Sequence, residues 1–156
     1  MENILFFTNN KNKLKEISKI LKKNNVNILS KSEIHKIREP REIGNTFAEN
    51  AKIKSLFGYN NFGIKCIADD SGICIEALKN RPGVNSKRFL NKFNNKNECF
   101  DYILKNVNKS GNYNAYFQTS ICFTQKNNHH IVFEGKVRGV ISKEIKGLGG
   151  FGYDPI

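Results

Sequence analysis

Asp69-Asp70-Ser71-Gly72 sets two carboxylates side by side in a chain that has only 14 acids against 26 Lys and Arg. Like charges this close need a cation or hydrogen-bond donors to be tolerated. Hard oxygen ligands near phosphate suit Mg²⁺, which keeps several waters and binds through one or two carboxylates plus substrate oxygens. The same four residues read equally as a solvated acidic turn. Glu42 and Glu49 are the other acids open to such a cluster. Glu49, three residues after Thr46, also fits a capping box, whereas Glu42 has no structural task visible in the sequence.

Two further segments bear on chemistry. In Thr8-Asn9-Asn10-Lys11-Asn12-Lys13 a strand ends in small polar residues and opens a helix. Unpaired amides, the positive end of the helix dipole and the Lys13 ammonium would together cradle phosphates. An ordinary capped helix with a surface lysine explains the same residues. In Gly149-Gly150-Phe151-Gly152-Tyr153-Asp154-Pro155, Phe151 offers a plate on which a base can stack and Asp154 a carboxylate for a base edge. A glycine-rich turn around a core phenylalanine is the competing account.

The elements that must position these residues follow from periodicity and punctuation. Residues 3–8 read as a buried strand, Lys11–Lys23 as a helix with Leu14, Ile17, Ile20 and Leu21 on one face, and Val26–Leu29 as a second strand. Strand, turn, helix and strand in succession point to an α/β fold. Residues 31–44, with Pro40, are a polar loop, and a helix starts at Asn45 or Thr46. Next come a strand at Ile64–Ala68, the acidic turn, a strand at Ile73–Leu78, a turn-rich loop over residues 80–85 and a helix over 97–107. Tyr113–Thr124 and His130–Ile141 pair as an antiparallel hairpin around Lys126-Asn127-Asn128, and residues 146–156 form a glycine-rich loop. With no repeat or linker, residues 1–156 read as one domain.

Composition narrows the function classes. The formal net charge is +12, but it comes from 21 Lys, only 5 Arg and 23 Asn spread over the whole chain. Dispersed lysine without interleaved aromatics is not the footprint of a dedicated nucleic-acid binder, though it suits a small polyphosphate. The chain has no apolar run long enough to cross a membrane and no signal-peptide pattern at its start, which points to the cytoplasm. Cys66, Cys74, Cys99 and Cys122 have no metal-ligand spacing and read as reduced core thiols. His35, His129 and His130 assemble no zinc site.

Taken in order, the motifs resemble the non-canonical purine nucleoside triphosphate pyrophosphatases, the inosine/xanthosine triphosphatase family. The first two blocks are Thr8-x-Asn10-x-x-Lys13 and Glu42-x-Gly44-x-Thr46-Phe47-x-Glu49-Asn50-Ala51-x-x-Lys54. Ala68-Asp69-Asp70-Ser71-Gly72-x-x-x-Glu76-Ala77-Leu78 follows, then residues Arg81 to Phe89, then Gly149 to Ile156. The resemblance implies an elongated mixed β-sheet flanked by helices, with two lobes and a central nucleotide cleft. It also implies Mg²⁺-dependent hydrolysis of ITP, dITP and XTP to the monophosphate and pyrophosphate by a homodimer. By position, Thr8, Asn9, Asn10, Lys11, Asn12 and Lys13 would hold the triphosphate, with Lys54 and Lys87 adding charge. Glu42 and Asp70 would be the metal ligands, with Asp70 also the general base. Ser71 would touch substrate, and Phe151, Gly152, Tyr153 and Asp154 would form the base pocket.

The chain departs from that family twice. Asn85 stands where a tyrosine is usual, at a packing or dimer contact. Relatives also continue for roughly another fifth of the chain, carrying a strand, a helix, a further lysine and a Ser-His-Arg motif that contacts the base. A non-catalytic remnant that binds nucleotide or dimerises without turnover is therefore the rival expectation.

Overall fold

The computed structural model describes residues 2–31, 37–126, 129–147 and 149–156. Its elements are β1 (Glu2–Phe6), α1 (Lys11–Lys22), β2 (Val26–Ser30), α2 (Phe47–Phe62), β3 (Cys66–Ile75), β4 (Arg81–Pro82), α3 (Ser86–Leu90), α4 (Lys96–Ser110), β5 (Asn114–Lys126) and β6 (His129–Val140). The fold is mixed α/β. The sheet runs β2-β1-β3-β5-β6, with β4 beside β3. β1 is parallel to β2, with Ile4 opposite Ile28, and parallel to β3, with Leu5 opposite Cys66. β4 is antiparallel to β3, with Cys74 opposite Pro82. The chain divides into two compact units, one of Met1–Asp70 with Ser120–Glu134 and the other of Ser71–Thr119 with Gly135–Ile156.

In the first unit the apolar strand β1 is buried along Ile4, Leu5 and Phe6, and Leu5 and Phe7 pack with Cys66 and Ala68. Phe7 also meets Phe57 of α2, their ring centroids 5.7 Å apart. Helix and strand approach closely where Gly58 faces Cys66: a Cβ on Gly58 would lie 2.5 Å from the Cys66 Sγ. Ser55, one turn earlier, donates to the Cys66 carbonyl at 2.9 Å and meets Thr124 Oγ1 at 2.7 Å. Burial pushes the Cys66 thiol up to about 12, so it stays protonated.

The second unit is built on α4, whose Cys99, Phe100, Ile103 and Val107 recur at helical spacing and are all buried. They pack with Ile73, Ile75, Leu78, Ile141 and Tyr153. Asn95 caps this helix by accepting the Glu98 amide at 3.0 Å.

Three expectations change. The acidic segment is not a turn: Asp69-Asp70-Ser71-Gly72 lies inside the ten-residue strand β3, where sheet pairing overrides the turn preference of Asp, Ser and Gly. Ile20 lies exposed on α1, so the apolar stripe of that helix is narrower than its sequence pattern. Residues 86–90, for which the sequence pattern predicts no element, form α3. Asn127-Asn128 of the hairpin turn, part of the loop after β2 (residues 32–36, with His35) and Leu148 of the terminal loop lie outside the described residues. Among the described residues no helix is long and apolar enough to cross a membrane, and all four cysteines are buried free thiols.

Candidate active site

The first unit gathers most of the residues singled out for chemistry, and strand geometry explains how. Successive residues of a strand point to opposite faces, so the neighbours Asp69 and Asp70 part company on β3. Asp69 pairs with the Lys13 ammonium of α1. Asp70 turns to α2, accepting from Asn50 Nδ2 at 3.0 Å, with Lys54 Nζ 3.9 Å from its other oxygen. Alternation thus gives each of two adjacent like charges its own cationic partner.

Lys54 is the centre of the second group. Its ammonium lies 2.9 Å from Glu42 Oε1 and 3.9 Å from Asp70 Oδ1, so carboxylates from the loop before α2 and from β3 converge on one cation. Lys54 is only 8% exposed. Burial alone would lower its pKa, but Glu42, Asp69 and Asp70 outweigh it and the net shift is upward, which keeps the ammonium charged. Asp70, 7% exposed, goes the other way. Burial pushes its carboxyl up to about 6, with Glu42 adding to the rise and Lys54, Asn50 and Lys13 opposing it.

Asn50 ties the group together. Fully buried on α2, one turn before Lys54, it accepts from the Gly44 amide at 2.8 Å while donating to Asp70. The loop can come this close only because position 44 lacks a side chain: a Cβ there would stand 2.7 Å from Asn50 Oδ1 and 2.6 Å from the Glu49 Cβ. Asn50 was not singled out from the sequence for chemistry, whereas Asp69 was, as half of the adjacent carboxylate pair. The readable signal for Asn50 was a polar residue at i−4 from Lys54, on a helix face shared with Phe47, Ala51, Ser55 and Gly58.

Glu49 is taken by the helix cap. Its carboxylate accepts from the Asn45 and Thr46 amides at 2.6 and 3.2 Å, and Thr46 Oγ1 accepts the Glu49 amide at 3.1 Å. Glu42 and Asp70 are left as the acidic pair around the Lys54 cation. Among the described residues no three His, Cys, Asp or Glu side chains come together as a metal-holding group.

The start of α1 differs from a bare helix end. Thr8 Oγ1 accepts the Asn10 amide at 3.1 Å, and Asn10 Oδ1, the N-cap, accepts those of Asn12 and Lys13 at 3.0 and 3.2 Å. An anion arriving here meets the dipole and Lys13 but competes with these side chains for the amides. Lys11 and Asn12 are exposed, as is Asn9, whose Oδ1 accepts from Lys31.

The remaining candidates belong to the second unit. Ser71 bonds Thr119 through their hydroxyls, and Lys87 is exposed on α3. In the terminal loop Phe151 is half-buried, and its amide donates to the exposed Asp154 carboxylate at 2.7 Å. Gly152 is half-buried with φ +63°. Tyr153 has its side chain in the core of the unit, the hydroxyl donating to the Ser86 carbonyl at 2.7 Å, because a buried phenol must find an acceptor.

Comparison with known proteins supplies the remaining finding. A protein of Flavobacterium psychrophilum named dITP/XTP pyrophosphatase is 39% identical over 153 residues, spanning 98% of this chain and 80% of that protein. One of the same name from Porphyromonas gingivalis is 37% identical over 157 residues, spanning 100% and 80%. The solved structure of a HAM1 protein from Coxiella burnetii superposes with a TM-score of 0.89 at 31% identity, over 100% of this chain and 81% of that one. The Staphylococcus aureus Ham1 protein gives a TM-score of 0.85 at 30% identity, over 99% and 80%. Residues 4–156 match the description of one family over nearly the whole sequence, and the chain belongs to it: the Ham1 family.

Proposed function

We propose that this chain hydrolyses non-canonical purine nucleoside triphosphates (ITP, dITP and XTP) to the monophosphate and pyrophosphate, clearing deaminated purines from the nucleotide pool of the cytoplasm, and that it works as a homodimer. The relatives named dITP/XTP pyrophosphatase support the substrate class. The observation that carries the reading is the convergence of Glu42 and Asp70 on one buried cation, with Asp70 raised to about 6.

The donor set fits a divalent ion. Two hard carboxylates already hold a positive charge between them, and Mg²⁺ needs only one or two from the protein when substrate phosphates complete its shell. Glu42 and Asp70 are the residues that would hold it. When bound, Mg²⁺ neutralises phosphate charge and orients the triphosphate.

The chain's own residues do the rest. A carboxyl group near 6 is a stronger base than an ordinary aspartate yet still ionised at neutral pH, so Asp70 can take the proton of an attacking water. Lys13, Lys54 and the positive end of α1 balance the polyanion, the largest requirement in phosphoryl transfer. Thr8, Asn9 and Asn10 shape the turn that presents them, with Lys11, Asn12, Ser71 and Lys87 as further contacts. Phe151 stacks on the purine. Asp154 accepts the N1 hydrogen that 6-oxo purines carry and adenine lacks.

The test is product analysis with ITP and Mg²⁺. Pyrophosphate release that is lost with EDTA and in Asp70→Asn is the expected result. Release of orthophosphate, or full activity in that variant, overturns the mechanism.

A further inference from the structure

We propose that Lys31 is a positioning residue for the triphosphate, acting through Asn9 from behind the loop that opens α1; this rests on the functional reading above. Lys31 follows β2 and is 6% exposed, so its ammonium is a buried charge that must be compensated. Among the described residues three groups compensate it. Nζ donates to Asn9 Oδ1 at 3.1 Å, stands 3.9 Å from Glu39 Oε1, and lies 5.0 Å from the centroid of the Phe7 ring. The first is a good hydrogen bond, the second is at the outer limit of an ion pair, and the third is a cation–π contact with the residue leading into the loop.

A lysine ammonium only donates, so the bond fixes which end of the Asn9 amide faces it. Oδ1 is committed to Lys31, and Nδ2 becomes the donor that the loop can offer. A charge-assisted bond polarises the amide and strengthens that N–H. One cation, fixed one hydrogen bond behind Thr8-Asn9-Asn10, thus orients an amide and adds positive potential where Lys13 and the helix dipole already favour phosphate. A polyanion arriving there would be attracted by the same ammonium that Asn9, Glu39 and Phe7 hold in place.

The experiment uses the full chain, with inorganic tripolyphosphate as the probe in calorimetry and ITP in steady-state kinetics. Lys31→Met weakens tripolyphosphate about tenfold or more, the scale of a hydrogen bond to a charged group. It raises KM for ITP by a similar factor while kcat changes little. Lys31→Arg, which keeps the charge and the donor, restores most of both. Asn9→Leu, at an exposed position that keeps the lysine, also weakens tripolyphosphate, and combining it with Lys31→Met adds little further loss. The assignment is overturned if Lys31→Met binds tripolyphosphate as the wild type does. Should Lys31→Met fail to fold, wild-type affinity in Asn9→Leu overturns it instead. If the wild type turns over no ITP, the functional reading fails, and the tripolyphosphate comparison still decides the role of Lys31.

Discussion

Replacing Asp70 by Asn should abolish turnover and make the metal-free protein more stable. Burial raises the Asp70 carboxyl from its ordinary 3.8 to about 6, against the pull of Lys54 and Asn50. Between those values the folded protein holds a proton that the unfolded chain has released. Stability therefore falls as pH rises through the window. Once Asp70 is fully ionised the cost is about 3 kcal/mol, at about 1.4 kcal/mol per pKa unit. Asn keeps the shape, still accepts from Asn50 and carries no charge to bury. Lys54 does not blur the result: its pKa is raised, so the stability it contributes is present below 10.5 and lost only at more alkaline pH. Urea unfolding in EDTA is the assay. The variant should be more stable than the wild type by roughly 2–3 kcal/mol at about pH 7.5, and by well under 1 kcal/mol at about pH 4. An equal gain at both pH values, or none at the higher one, would refute the claim that a buried ionised Asp70 is the origin of the effect.

Three more substitutions separate packing and capping from chemistry. Gly58→Ala should cost about 1–3 kcal/mol in urea unfolding, reversing the usual gain from Gly to Ala in a helix, because its Cβ would lie 2.5 Å from the Cys66 sulfur; unchanged stability would contradict that close approach. Glu49→Ala should lower stability by about 1 kcal/mol through loss of the capping box while turnover per folded molecule is kept. Glu42→Gln should instead lose Mg²⁺-dependent pyrophosphate release with the cap intact, and the opposite pattern in this pair would exchange the two roles.

The sequence by itself determined what is local. The period of α4, the capping box at Thr46 and Glu49 and the long alternating strands of the hairpin depend on residues within a turn or two of one another, so they could be read directly and are where the pattern puts them. That the two adjacent aspartates of a lysine-rich chain need cationic partners was also legible. Which cation each one meets was decided only by tertiary structure. Asp69 finds Lys13 across 56 positions of chain, and Asp70 finds Lys54 of α2. The same holds for the continuous strand through Asp69-Asp70-Ser71-Gly72, whose residues favour a turn until the sheet takes them into β3. It holds again for Lys31, whose pattern is that of any surface lysine until the fold buries it against Asn9 and Phe7. Propensity acts through the backbone of neighbouring residues, whereas compensation of buried charge depends on which distant groups the folded chain delivers.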